Sequence, residues 1–234
     1  MTYRQLGDSG LTVSAVGLGC NNFGRRIDQE ATTAVVRAAV DAGITLFDTA
    51  DTYGQGASEE LLGRALGAER ENVIVATKFG NDMQGVNGPD WGVRGSRRYL
   101  RRAVEASLRR LGTDWIDLYQ YHRPDLVTPM EETLAALTEL VQEGKVRYLG
   151  SSNLTGWQVV DADWDTLEDV ESYAAERGLR VIDVAIGGLA AQPAVTSVIA
   201  GATRPEQVVD NVRAGSWEPT AEDLVELDEI TAGV

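Results

Sequence analysis

Four side chains of different chemistry stand where apolar runs of strand length give out. Asp48 and Tyr53 follow GITLF, Lys78 closes NVIVATK, and His122, the one histidine of the chain, closes WIDLYQYH. A phenol with an ordinary pKa of about 10 is a poor acid at neutral pH, and a lysine cation beside it favours the phenolate and makes it a better one. A carboxylate next to that lysine keeps it charged and oriented. An imidazole can then position a carbonyl oxygen and the phenol can protonate it, while a redox cofactor must deliver hydride to the carbon. Taken singly, each residue has a plainer reading: Asp48 as a turn cap, Tyr53 as a half-buried packing residue, Lys78 as a snorkelling side chain, His122 as a satisfied core histidine. Their succession on consecutive strand ends favours chemistry. An imine between Lys78 and a carbonyl substrate remains open on the same residues.

The elements that must hold these groups read as alternating strands and helices. Strands are expected at 14–19, 43–50, 72–78, 115–122 and 145–153, with a hairpin around Gly7 to Gly10 before the first. A helix over 28–42 has Asp28 as N-cap and Val35, Val36, Ala39 and Val40 on one face. Ser58 is expected to cap a helix with Glu in its first turn, Ser96 to start one running to Leu111, and Thr128-Pro129-Met130-Glu131 to form a capping box for one ending near Gly144. Such βα units in a row point to a TIM-type barrel or a doubly wound sheet. In a barrel the strand ends share one mouth, which the polar groups at Asp48, Tyr53, Lys78, His122 and Ser151 to Asn153 require; in an open sheet the outer ones lie too far apart to cooperate.

Composition narrows the class. At 234 residues, 43% hydrophobic and 24% charged, the chain reads as one globular α/β domain. No apolar run is long enough for a membrane span and the N-terminus has no signal-peptide pattern, so the expected location is the cytoplasm. A single cysteine, Cys20, leaves no internal disulfide and no cysteine-rich metal site, and no metal is expected. A net charge of −15 disfavours nucleic acid and anionic membranes as partners. The seven arginines within residues 92–110 then read as a solvated helix face paired with carboxylates. GLGCNNFG at 17–24 lacks a complete dinucleotide fingerprint and reads as a tight loop at the mouth.

LFDTADTYG, ATKFG, LYQYHRPD, VRYLGSSN and SVIAGATRPEQVVDNV together resemble the aldo-keto reductase family, over residues 1 to about 153 and about 165 to 234. The resemblance implies a TIM-type barrel and NADPH-dependent reduction of aldehydes or ketones. Asp48, Tyr53, Lys78 and His122 would be the catalytic tetrad, with Tyr53 as general acid. Ser152 and Asn153 would hold the nicotinamide carboxamide. Gly201, Ala202, Thr203, Arg204, Gln207, Asp210 and Asn211 would form the last strand end and the loop around the adenosine 2′-phosphate. Arg204, at a helix start, is a sensible phosphate contact and carries the preference for NADPH. The substrate loop would be 81–95, with Met83, Val86 and Trp91 as apolar contacts.

The pattern breaks after Asn153. Residues 154–196 read as helix, with Trp157, Val160, Trp164, Leu167, Val170 and Ala174 on one seam and a shorter helical stretch near Val184 to Ala191. The expectation is therefore a barrel truncated to about six strands instead of eight, with an internal family segment missing near residues 154–165. Family members use that segment for a glutamine on the nicotinamide amide, an aromatic ring under it and a loop over the pyrophosphate; Gln158 and Tyr173 are not expected to substitute. Two strand edges would be exposed, which favours homo-oligomers. An alternative follows: a non-catalytic family member that binds nucleotide or a partner.

Overall fold

The computed structural model describes residues 1–152 and 164–231. The elements run β1 (Tyr3–Gln5), β2 (Thr12–Ser14), β3 (Val16–Gly19), α1 (Gln29–Asp41), β4 (Leu46–Asp48), α2 (Ala57–Leu66), β5 (Ile74–Phe79), α3 (Arg97–Leu111), β6 (Ile116–Tyr121), α4 (Met130–Gln142) and β7 (Val146–Ser151). After the undescribed stretch come α5 (Trp164–Glu176), α6 (Val181–Asp183), a π-helical turn (Val184–Gly188), α7 (Leu189–Ala191), β8 (Val198–Gly201), α8 (Pro205–Ala214) and α9 (Ala221–Thr231).

Six parallel strands form one sheet in the order β7-β6-β5-β4-β3-β8, and β1 pairs with β2 as an antiparallel hairpin. This is a truncated α/β barrel with six strands, as expected. Among the described residues no strand joins β7 to β8, and none occurs between α5 and β8. The seam expected on the later helix holds where it is described: Val170, Tyr173 and Ala174 pack against Val184 and Leu227. Trp157, Gln158 and Val160 lie outside the described residues, as do the side chains of Trp164 and Leu167. The stretch expected near Val184 to Ala191 is helical from Val181 onward.

Period-two alternation gives each strand two buried faces. Outward, Leu18, Phe47, Val75, Phe79, Tyr119 and Tyr121 pack under the helices in one continuous core. Inward, Leu46, Ala76, Leu118 and Tyr148 meet Leu6, Leu11 and Val13 of the hairpin, which plugs the base of the sheet. Burial of an aromatic such as Phe47 is worth about 1.5–3 kcal/mol, so a one-residue register slip that turned these faces over would be strongly opposed. Continued toward the strand ends, the inner face carries Asp48 on β4, Lys78 on β5 and Gln120 on β6. Lys78 is register-paired with Gln120, and Gln120 with Gly150.

The helix starts follow local capping with two corrections. Asp28 accepts from the Ala31 amide, and Ser96 accepts from Tyr99. Ser58 does not cap: α2 begins at Ala57 with Gly56 before it, and the buried Ser58 hydroxyl instead reaches Thr49 and the Cys20 carbonyl. The capping box at α4 is also absent. Pro129 precedes the first helical residue, Met130, and the Thr128 hydroxyl donates to Asp125. Both serine and threonine found buried or acidic partners that outcompeted the helix end. Arg97 and Arg101 of α3 pair with Glu139, and Arg101 also with Glu143, as a solvated face should. No helix among the described residues is long and apolar enough to cross a membrane.

Candidate active site

Asp48, Lys78 and Gln120 emerge beside one another because their strands are hydrogen-bonded neighbours and each residue sits at the C-terminal end of the inner face. Lys78 Nζ donates to Asp48 Oδ2 at 2.6 Å, to the Thr49 carbonyl at 2.9 Å and to the Tyr53 hydroxyl oxygen at 3.5 Å. Lys78 is only 5% exposed and Asp48 only 8%, so this ion pair operates with little water around it. Because an ammonium can only donate, the Tyr53 oxygen accepts from it and the phenolic proton is left to point elsewhere.

Tyr53 reaches this position through a tight turn. Residues Tyr53–Gly56 are kinked, with left-handed backbone at Gly54 (φ 59°) and Gln55 (φ 54°), and Gly56 adopts φ of 96° immediately before α2. A Cβ at Gly56 would approach Arg110 Cδ to 2.5 Å, so both the backbone angle and the space demand glycine. His122 continues β6, its amide donating to the Phe79 carbonyl at 2.8 Å. Its ring lies edge-on to Tyr53, with centroids 6.1 Å apart at 85°. Burial first, then Lys78 and Arg123, lowers the imidazole from 6.5 to about 4, so it is neutral at physiological pH. The arrangement thus holds a phenol, a buried cation and a neutral imidazole around one point, a set fitted to protonating an oxygen as negative charge develops on it.

A cavity of about 530 Å³ opens from this cluster. Its lining includes Asp48 and Tyr53 at one end and Gly201, Ala202, Thr203 and Gln207 at the other. Of the expected cofactor residues those last four face it, whereas Arg204, Asp210 and Asn211 do not line it. Gln207 Oε1 accepts from the Thr203 and Arg204 amides and so ties the β8 end to the start of α8. Asp210 pairs with Arg180, and the buried Asn211 donates to the Gly201 carbonyl. Ser152 is anchored by its amide to the Tyr121 carbonyl at 2.9 Å, and Asn153 lies outside the described residues.

Several groups went unnoticed in the sequence. The loop after β3 folds back on itself, with the Arg25, Arg26 and Ile27 amides all donating to the Asn22 carbonyl. Asn21, Asn22, Arg25 and Arg26 thereby line the cavity, which places two exposed cations beside it. Gln120 Nε2 donates to Asp48 Oδ1, and Asn81 Nδ2 lies 2.8 Å from His122 Nδ1. Behind the site, buried Glu59 accepts from Thr77 and Arg110, while Asn87 bridges Arg110 to buried Asp51. Of the apolar contacts expected in loop 81–95, Met83 is buried, Trp91 is 63% exposed with Arg98 stacked on it, and Val86 is exposed. Tyr173 donates to Asp223 between α5 and α9 and has no part in the site.

The sequence profile of the Aldo/keto reductase family matches residues 15–167. A probable aldo-keto reductase of Glycine max is 42% identical over 153 residues, covering 63% of this chain and 44% of that protein. Versiconal hemiacetal acetate reductase of Aspergillus parasiticus is 41% identical over 181 residues, covering 68% and 52%. The chain thus spans about half the length of the curated relatives it matches. An aldo-keto reductase of Bacillus halodurans, in its holo form, superimposes with a TM-score of 0.84 at 30% identity, over 98% of this chain and 96% of that one. With a family match over residues 15–167, more than half of the chain, and a fold that superimposes on a family member at a TM-score of 0.84, the chain belongs to the aldo/keto reductase family.

Proposed function

We propose that this chain is a single-domain, NADPH-dependent oxidoreductase that reduces a small aldehyde or ketone to its alcohol. The observation that carries the reading is the Lys78 ammonium, fixed by Asp48 and in reach of the Tyr53 oxygen, with neutral His122 alongside. NADPH, when bound, supplies the hydride. Tyr53 gives its proton to the carbonyl oxygen as the carbon accepts hydride, and Lys78 stabilises the phenolate that remains until solvent returns the proton. His122 orients the carbonyl oxygen.

The polar cavity suits an elongated anionic ligand: Thr203, Gln207, Arg25 and Arg26 line it together with the tetrad end. Ser152, Asn153, Gly201, Ala202, Thr203, Arg204, Gln207, Asp210 and Asn211 are the proposed cofactor residues, with Arg25 and Arg26 added from the fold. The names of the relatives, both reductases, support carbonyl reduction without specifying this chain's substrate. An imine at Lys78 is disfavoured because its donors are engaged by Asp48, Thr49 and Tyr53.

The test is NADPH oxidation against a panel of aldehydes and ketones, with wild type and Tyr53→Phe compared. Turnover should fall on the order of 10²–10⁴-fold in the variant, with NADPH still quenching tryptophan emission. A second reading, nucleotide binding without turnover, is favoured by the six-strand sheet and the half-length match to relatives. It predicts saturable quenching and no carbonyl-dependent oxidation in either protein.

A further inference from the structure

Two loops converge on the His122 ring. The register pairs Phe79 with Tyr121, and the His122 amide donates to Phe79, so the chain just beyond Phe79 must pass beside the imidazole. Gly80 makes the turn with φ of 107°, and a Cβ there would meet the Tyr121 ring at 2.6 Å and the Arg123 carbonyl at 2.9 Å. Asn81 follows at once. Its amide nitrogen lies 2.8 Å from His122 Nδ1, partly buried. With its NH₂ turned to the ring Asn81 can only donate, and this orientation goes with an accepting Nδ1 and, in a neutral ring, a proton on Nε2; the amide turned over would go with the reverse.

We propose that Asn81 is a positioning residue that fixes the tautomer of His122, making Nε2–H the donor presented to the substrate carbonyl oxygen. The inference rests on the carbonyl-reductase reading for its purpose, but its physical content is independent of turnover. Among the described residues, the charged and titratable groups near the ring include Tyr53 from the β4 loop, Lys78 from β5 and the adjacent Arg123. None of them is an acceptor base that would draw a proton onto Nδ1 in place of Asn81. Without the amide, the ring would exchange between tautomers, and in one of them it would offer a lone pair to an oxygen that needs a donor.

The chain has one histidine, so its two ring nitrogens give one unambiguous pair of signals in ¹⁵N-labelled protein. Long-range ¹H–¹⁵N correlation at neutral pH should show Nε2 protonated and Nδ1 unprotonated, as a single tautomer. Asn81→Asp should reverse this, because a carboxylate accepts from Nδ1–H. In the same variant turnover should fall on the order of 10²-fold, the size expected for a lost oxyanion donor, while the NADPH titration stays unchanged. A wild-type ring protonated on Nδ1, or averaged between tautomers, overturns the proposal and needs no variant to fold. An Asn81→Asp ring still protonated on Nε2 overturns it as well. Should the wild-type ring be Nε2–H in a protein that reduces no carbonyl, the functional reading fails and the tautomer assignment stands.

Discussion

Gln120 Nε2 donates to Asp48 Oδ1 at 3.2 Å, so both oxygens of this carboxylate are engaged, one by an amide from β6 and the other by Lys78. The two donors fix the plane of the carboxylate and, through it, the ammonium that faces Tyr53. Gln120→Leu keeps the volume and removes one donor, at a cost of about 1–2 kcal/mol to the buried acceptor. Turnover of a carbonyl substrate should fall roughly 5- to 30-fold with little change in cofactor affinity. Unchanged kcat in a folded Gln120→Leu protein would show that Lys78 alone is sufficient to orient Asp48.

The Lys78–Asp48 pair predicts a stability effect of its own. Lys78→Met leaves a carboxylate buried without its cation, which should cost about 3–5 kcal/mol. Adding Asp48→Leu removes the orphaned charge, and the double variant should recover most of the loss, since paired apolar replacements of buried ions are often neutral. Urea midpoints of the three proteins decide the matter. A double variant no more stable than Lys78→Met would mean that backbone contacts such as Lys78 Nζ to the Thr49 carbonyl dominate the site's energetics.

What could be read in the sequence followed from short-range pattern. Period-two alternation puts Asp48, Lys78 and His122 on the inner face wherever the strands are identified correctly, and the loss of strand runs after Asn153 foretold the six-strand sheet. What could not be read depends on partners far apart in the chain. Glu59 looks like an acidic residue of a helix's first turn, yet it is fully buried because Arg110 arrives from α3, 51 positions away. Ser58 has the composition of a cap and is turned inward for the same reason. Asn81 sits in a loop of no distinctive composition, and only the β5–β6 register brings it to His122. Arg25 and Arg26 carry no motif, and only the folded-back loop brings them to line the cavity.

Asp51 should make stability fall as pH rises. Burial, then the nearby Glu59, hold its carboxyl well above the ordinary 3.8, against the opposing pull of Arg110, the Thr52 amide and Asn87. The native state therefore keeps a proton that the unfolded chain releases near pH 3.8, and above that pH the unfolded state gains until native Asp51 also titrates. Asp51→Asn removes the loss while an amide oxygen still accepts from Asn87. The variant should match wild type near pH 3.5 and exceed it at pH 7 in urea unfolding. A variant less stable than wild type at both pH values would place the carboxylate form in the native state.

The cations of the β3 loop make the last prediction, because they line the same cavity as Tyr53. Arg25 and Arg26 are exposed and line the cavity, so phosphate contacts there would be charge-assisted but screened. Replacing both with Ala should weaken NADPH binding roughly 10-fold, about 1–2 kcal/mol, and flatten the dependence of affinity on salt. Arg204, which does not line the cavity, should behave differently: Arg204→Ala should narrow the preference for NADPH over NADH while leaving NADH affinity unchanged. Quenching of the five tryptophans by each nucleotide at low and high salt reads both effects. Equal affinities in wild type and the double variant would remove Arg25 and Arg26 from the phosphate path and leave the β8–α8 segment to hold the ligand alone.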